Sequence, residues 1–407
     1  MTAARIDPAT GNLVVGGSAV FPIGLSDPPP VGGSTPRGRP AWEEVAGAGV
    51  TMARHYGVWT AAAAAEELLA VRSRLDAAQR HGLQLWLALA GVDVDLGHRA
   101  LLDRIVNAVK DHPGLGVWKG ADEPAHGRVA PAGLVAVREH LRSLDPDHPL
   151  AIIEAPRDPA PSHGAADRRL TVAALRPYAA ACDIHGVDIY PVSVPPGRHA
   201  GGPPVNTDVS VVGDVTRIVA AATRRKAIWT TLQIAWSGTL PPHRVVFPTL
   251  QQARFMAYDA IVAGARGLFF FGGHLPQAMN ERDRLLGWNW TYWDRVQRSL
   301  VEELAGPAHR QALLAPDAPF TVTADARDVA VSTRQTASAI FVIAVRRSPT
   351  ATGRVRFHGL PGGIARGTVL AHGPDNPVRP VTATGGSFAD PSPYRPHNAR
   401  VYRFARA

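Results

Sequence analysis

Two adjacent acidic residues, Asp122 and Glu123, follow an apolar run in the sequence and precede Pro124. A carboxyl group with a raised pKa can donate a proton, and an ionised neighbour can accept one or attack carbon. Two further acids, Glu154 and Asp188, lie at the ends of later apolar runs. This spacing indicates a proton-transfer site, provided that the fold brings the ends of these runs together.

Eight short apolar runs alternate with longer segments of helical periodicity. This alternation predicts βα units, and near-continuous apolar runs are typical of parallel strands that are buried on both faces. The predicted strands are residues 20–25, 50–56, 83–90, 115–121, 150–155, 184–190, 227–234 and 267–271. The predicted helices are residues 62–81, 101–110, 130–144, 212–225, 249–263 and 292–304.

The first loop distinguishes two α/β architectures. An open, doubly wound sheet would carry a glycine-rich phosphate loop after its first strand, whereas here Asp27 is followed by three prolines, which have no N–H groups. We therefore predict a (β/α)8 TIM barrel over residues 1–314. After Pro316 the sequence changes to short alternating strands with Gly and Pro turns, which predicts a small all-β sandwich over residues 315–407.

Reactive side chains of a (β/α)8 barrel lie at the C-terminal ends of its strands. In strand order the candidates are Asp27; Arg54, His55 and Tyr56; Asp93 and Asp95; Asp122 and Glu123; Glu154 and Arg157; His185, Asp188 and Tyr190; Gln233 and Trp236; and His274, Trp288 and Trp290. Paired carboxyl groups are what cleavage of a glycosidic bond requires. Indole rings, in turn, suit the apolar faces of sugars.

The segment from Gly116 to Pro124 resembles the fourth barrel strand of clan A glycoside hydrolases, in which the Glu before Pro is the acid/base. Residues 21–24, 46–51, 188–191 and 264–270 resemble other barrel segments of that clan, and residues 388–390 and 401–404 resemble its β-domain. The resemblance covers nearly the whole chain. It implies a hydrolase of a β-linked glycoside or polysaccharide, with Glu123 as general acid and Asp188 or Glu154 as the second carboxylate. The substrate would be bound by Asp122, Gln233, Tyr190, His55, Arg54, Trp236 and His274.

One position departs from the clan. Its seventh strand usually ends in a Glu nucleophile, whereas Gln233 occupies that place here, and an amide cannot attack an anomeric carbon. Three interpretations stay open. The enzyme inverts configuration, with Asp188 preferred over Glu154 as base; it retains configuration through another carboxylate or the substrate's own amide; or it binds carbohydrate without catalysis. A further class of enzyme is a lyase or isomerase of sugar acids, in which Arg54 and Arg157 would bind the carboxylate of the substrate.

Composition limits the remaining possibilities. The formal net charge is +9, but the basic residues form no long run, so we expect no nucleic-acid partner. Histidines without metal-ligand spacing predict no metal, and we expect no cofactor. Cys182 is the single cysteine, and no apolar stretch predicts a membrane span. The polar first residues contain no signal peptide, which fits a cytoplasmic protein or a secreted one whose leader has been removed. The oligomeric state is left open.

Overall fold

The computed structural model describes residues 3–156, 170–193, 206–223, 226–235, 245–371 and 377–406. The strands within these ranges are β1 Ala4–Ile6, β2 Leu13–Val15, β3 Ser18–Val20, β4 Ile23–Leu25, β5 Met52–His55, β6 Gln84–Ala88, β7 Leu115–Asp122, β8 Leu150–Glu154, β9 Ile184–Asp188, β10 Ala227–Gln233, β11 Gly267–Phe271, β12 Thr323–Ala324, β13 Val329–Gln335, β14 Ala339–Arg346, β15 Arg356–His358, β16 Arg366–Val369, β17 Arg379–Thr384, β18 Ser387–Ala389 and β19 Ala399–Ala405.

Strands β4 to β11 pair in parallel and close into a barrel in the order β10-β11-β4-β5-β6-β7-β8-β9. Each of these strands falls within or beside one of the eight predicted apolar runs, so the predicted TIM barrel is confirmed. Because every strand is parallel, all eight C-terminal ends open at the same end of the barrel. This arrangement brings the candidate acids of separate runs to one place.

The α-helices are α1 Ala41–Ala48, α2 Ala64–Arg80, α3 Arg99–Val109, α4 Pro131–Leu144, α5 Val172–Leu175, α6 Val211–Thr223, α7 Leu250–Val262, α8 Glu281–Leu285, α9 Trp290–Tyr292, α10 Arg298–Ala305 and α11 Pro307–Leu314. Helix α1 was not predicted, because it follows a loop rich in proline and glycine. It begins directly after Pro40 and ends at Gly49, whose φ of 114° is accessible to glycine.

The start of the barrel differs from the predicted first strand. Residues 18–20 form strand β3 of a separate antiparallel sheet in the order β1-β2-β3, and only Ile23–Leu25 enters the barrel. Pro22 stands between the two strands and has no N–H group to donate to a continuous ladder. Ala4 and Leu13 of this small sheet pack with Trp86 and Trp229 of the barrel interior, and so close its N-terminal end.

The β-domain is one antiparallel sheet in the order β12-β15-β18-β17-β16-β19-β14-β13. The sheet folds over itself: Phe388 of β18 contacts Tyr402 and Phe404 of β19, although two strands separate β18 from β19. The resulting two layers enclose an apolar core, which confirms the predicted barrel followed by a small all-β domain. Strand β18 overlaps residues 388–390, which the clan resemblance assigned to the β-domain, whereas β17 was not predicted.

The barrel and the β-domain pack directly against each other. Arg254 of α7 forms an ion pair with Glu303 and donates to the carbonyl of Ala399 at 2.7 Å. The predicted domain boundary at residues 314/315 falls between α11 and β12, and it stays a prediction. Across the described residues, no helix has both the length and the apolar character that crossing a bilayer requires.

Candidate active site

A cavity of about 310 Å³ lies at the C-terminal ends of the barrel strands. All eight strands or the residues just after them contribute to its wall, so the barrel itself positions the lining. The lining residues are Asp27, Arg54, Tyr56, Trp86, Asp122, Glu123, Ile153, Asp188, Tyr190, Thr231, Phe271 and His274. Four of these residues are acids, and they come from three segments that are distant in sequence.

A β-bulge in β7 places the two adjacent acids. Lys119 pairs with Ala151 of β8, but Asp122 pairs with Ile153, so β7 contains one residue more than its partner over this stretch. Glu123 then adopts a φ of 47°, an uncommon conformation for a residue with a side chain, and its N–H donates to the Ile153 carbonyl at 2.6 Å. Backbone strain of this kind is typical of functional sites.

Lys119 lies beneath Asp122 and is 1% exposed. Its Nζ is 2.8 Å from Oδ1 of Asp122, whose side chain is half-exposed. Burial lowers the pKa of Lys119, an effect that the charge of Asp122 partly opposes. For Asp122, partial removal from water favours the neutral acid, but the charge and hydrogen bond of Lys119 outweigh this effect and lower the pKa. Asp122 is therefore ionised at neutral pH.

Asp188 has the opposite electrostatic environment. Burial, followed by the negative charges of Glu123 and Asp122, raises the pKa of the Asp188 carboxyl well above its usual range. A hydrogen bond from Tyr190 acts in the other direction but does not offset these effects. Oδ1 of Asp188 is buried and has no hydrogen-bond partner within the described part of the chain. Asp188 therefore retains a proton at a pH at which Asp122 has lost its own.

A charged cluster forms the opposite side of the cavity. Nδ1 of His274 lies 3.1 Å from Oδ2 of Asp27, and the Arg54 guanidinium lies 3.5 Å from the same carboxylate. Burial favours the neutral form of Asp27, but these two partners outweigh it and lower the Asp27 pKa. Nε of Arg54 also donates to the Ser26 carbonyl at 2.9 Å, which fixes the guanidinium at the cavity wall.

Three predicted site residues lie outside the cavity lining. Glu154 is fully buried and accepts hydrogen bonds from the Ala125 N–H and from His185, both at 3.1 Å. The amide of Gln233 donates to the carbonyl of Val192 at 2.7 Å and accepts from the N–H of Val192 at 3.1 Å. Each side chain therefore supports a loop next to the cavity.

His55 is the third residue outside the lining. It is 3% exposed, and its Nε2 lies 2.6 Å from Glu67 of α2. Burial, and next the charge of Arg74, lowers the pKa of His55 despite the nearby Glu67 carboxylate. His55 therefore joins the outer helix to the barrel wall, while its neighbour Arg54 faces the cavity.

The structure brings together Glu123, Asp188, Asp122, Tyr190, Arg54 and His274 from the predicted set. Trp236 and Arg157 lie outside the described residues. The predicted set lacked Trp86 and Phe271, which are lining residues within strands, and Thr231, the lining residue from β10. The alternation of side-chain direction along each strand could have identified these residues, because residues two apart on a strand point to the same face. In the described residues, no group of three His, Cys, Asp or Glu could hold a metal ion.

The fold and this acid-lined cavity define a TIM-barrel protein with a C-terminal β-domain, similar in structure to glycoside hydrolases. One solved structure, named glycoside hydrolase, matches with a TM-score of 0.67 at 12% identity over 100% of this chain and 97% of its own. A family 5 glycoside hydrolase from Bacteroides vulgatus matches with a TM-score of 0.67 at 12% identity, over 100% of this chain and 93% of its own.

A family 30 endoxylanase from Clostridium papyrosolvens matches with a TM-score of 0.51 at 11% identity, over 100% of both chains. At these identities the matches show a shared fold. No protein-family model matches the sequence, and no curated protein sequence matches it.

Proposed function

We propose that the protein hydrolyses a glycosidic bond, with Glu123 and Asp188 as the catalytic pair. The observation that carries this proposal is the convergence of both acids on one cavity, with Asp122 beside them. Glycoside hydrolysis uses one protonated and one ionised carboxyl group on either side of the scissile bond. A β-linked glycoside or polysaccharide is the substrate class that we propose, from the clan resemblance.

The pKa directions support a specific division of roles. Burial and two neighbouring negative charges keep Asp188 protonated, and the charge of Glu123 raises the Asp188 pKa more than that of Asp122. Interacting acids of this kind keep one proton between them. We therefore assign the proton to Asp188 and the ionised role to Glu123, the reverse of the roles that the sequence predicted.

The seventh strand of the barrel, β10, supports inversion of configuration as the stereochemical outcome. Thr231 is the β10 residue in the cavity lining, and Gln233 is engaged with the Val192 backbone. Within the described residues, this strand therefore offers no carboxylate for a glycosyl ester. In the proposed reaction Glu123 removes a proton from water, water oxygen bonds to the anomeric carbon, and Asp188 protonates the departing oxygen. The first product would have the opposite anomeric configuration, which NMR can measure.

The test compares Glu123→Gln and Asp188→Asn on matched glycosides with dinitrophenol or methanol as the leaving group. Dinitrophenol departs without protonation, so loss of the acid spares its glycosides, whereas loss of the base does not. We expect Asp188→Asn to lose about a thousandfold in kcat/KM on methyl glycosides only. Glu123→Gln should lose activity on both series. Wild-type rates retained by both variants would refute the catalytic pair.

A second function is supported by the structural role of Gln233. A barrel that has no carboxylate at the end of its seventh strand, β10, can bind carbohydrate without cleaving it. The test offers the unaltered protein a broad panel of glycosides and measures both hydrolysis and calorimetric binding. If the protein binds one of the glycosides but hydrolyses none, the second function is established and the first is excluded.

A further inference from the structure

The positive charge of the chain is concentrated in the β-domain. Residues 315–407 contain twelve arginines, no lysine and five aspartates, so they carry +7 of the formal net charge of +9. The first 314 residues are therefore nearly balanced. A charge asymmetry of this size between two parts of a chain indicates an anionic partner of the charged part.

The aspartates of the β-domain are largely engaged elsewhere. Asp317 pairs with Arg266 of the barrel, and Asp328 pairs with Arg346. Asp390 is buried and pairs with Arg400 at 2.8 Å. These contacts leave the domain's exposed arginines without a carboxylate partner among the described residues.

The strand register gathers several of those arginines on one face. Arg356 of β15 pairs with Ala389 of β18, and Arg366 of β16 pairs with Thr382 of β17. The β17–β18 register, extended by one pair, places Thr382 beside Ala389. Arg356 and Arg366 thus stand at the two ends of one row of paired residues that crosses four strands.

The neighbouring row carries hydroxyl and imidazole groups. His358 contacts Ser387 at 2.9 Å, and Ser387 pairs with Thr384. Arg354, two residues before Arg356, is exposed and alternates with buried Val355. We call this outer surface of β15–β18–β17–β16 the arginine face; its members are Arg354, Arg356, His358, Arg366, Thr382, Thr384 and Ser387.

The chemistry of the arginine face selects among anionic partners. Its four strands contain no acidic residue; buried Asp390 follows β18 directly, and the carboxylate of Asp325 accepts the Arg356 N–H. In the described β-domain, Val378 is the one large hydrophobic side chain that is exposed. The face therefore lacks the aromatic platforms that stack on nucleic-acid bases and the apolar side chains that enter a bilayer.

We propose that the arginine face binds a polyanionic polysaccharide. The guanidinium groups pair with carboxylate or sulfate groups along the polymer, and the Thr and Ser hydroxyls between them bind sugar hydroxyls. This surface belongs to the β-domain and does not share residues with the barrel cavity. Binding would hold such a polymer against the protein whether or not the barrel cleaves it.

The test measures retention of the full chain on immobilised polygalacturonate at increasing NaCl concentration, with dextran as the neutral matrix. We expect the unaltered protein to bind polygalacturonate but not dextran, and to elute as salt screens the contacts. The double variant Arg356→Ser/Arg366→Ser should bind about tenfold more weakly, because two charge-assisted contacts are lost. The variant Arg356→Lys/Arg366→Lys should bind more strongly than the Ser pair.

The matched control is Arg80→Ser/Arg104→Ser, which removes the same charge from exposed positions on α2 and α3. Its binding should stay within twofold of the unaltered protein. Equal weakening by both double variants would overturn the proposal, as would equally tight binding of dextran, single-stranded DNA or anionic phosphatidylserine vesicles. Hydrolysis of small glycosides should be unchanged in the Ser pair, which separates this test from that of the catalytic pair.

Discussion

Nζ of Lys119 lies 2.8 Å from Oδ1 of Asp122, three residues later on the same strand, with the cation buried and the carboxylate half-exposed. The pair places a negative charge at the cavity wall next to the proposed catalytic acids. Holding a buried ammonium group is unfavourable in itself, since burial lowers the pKa of Lys119. The role that this ion pair supports is to keep Asp122 ionised.

Lys119→Met keeps most of the side-chain volume and removes the cation. We expect the pKa of Asp122 to rise, because burial then acts on the carboxyl without the opposing charge of Lys119. Carboxyl 13C NMR titration would measure the change, with Lys110→Met as the control that leaves Asp122 untouched. An unchanged Asp122 pKa in Lys119→Met would contradict the ion pair.

Asp122→Asn tests the electrostatic control of Asp188. The Asp122 charge helps to raise the pKa of Asp188, so its removal lowers that pKa. If the protonated Asp188 is the active form, activity is lost as pH rises through its pKa. The alkaline limb of the kcat/KM profile should therefore move to lower pH in Asp122→Asn, and should not move in the exposed control Asp76→Asn. A shift to higher pH would refute the assignment.

Glu154→Gln distinguishes a loop-positioning role from the base that the sequence suggested. Glutamine keeps an oxygen that can accept the Ala125 N–H, so we expect kcat/KM to fall by less than about tenfold. Glu154→Ala removes the acceptor and should lower the free energy of unfolding by about 2–4 kcal/mol, measured by urea denaturation. A thousandfold loss of activity in a stably folded Glu154→Gln would restore Glu154 as the catalytic base.

Gln233→Glu restores the residue type that the clan resemblance predicts at the end of the seventh barrel strand, β10. A carboxylate cannot donate to the Val192 carbonyl, and Gln233 is 1% exposed. We expect a loss of about 1–3 kcal/mol in the free energy of unfolding and no gain in hydrolysis. Gln233→Met, which is of similar size and uncharged, is the comparison. A variant with increased glycosidase activity would show that position 233 reaches the substrate after all.

The sequence was sufficient for the barrel because buried parallel strands carry a local apolar signal, and each predicted run contains most or all of one barrel strand, although the first run also contains the end of β3. It was less informative about which side chains face the cavity. Arg54 and His55 are adjacent on β5 and therefore point to opposite sides, the first into the cavity and the second toward Glu67. Position near a strand end does not by itself specify a face.

Partners that are distant in sequence explain the other differences. The acceptor for the Ala125 N–H is Glu154, 29 residues away, and the partner of Gln233 is Val192, 41 residues away. No local pattern contains these contacts, since they arise only after the barrel has closed. The same holds for the pKa of Asp188, which depends on the acids at and just after the end of strand β7.

The extra residue of β7 has a genetic consequence. Deletion of the single codon for Ala121 would remove the bulge and give one-to-one pairing with β8, with Asp122 still opposite Ile153. Lys119 and Asp122 would then be two residues apart instead of three, which changes the local backbone that positions the two acids. One in-frame lesion thus separates closure of the barrel from assembly of its acidic centre.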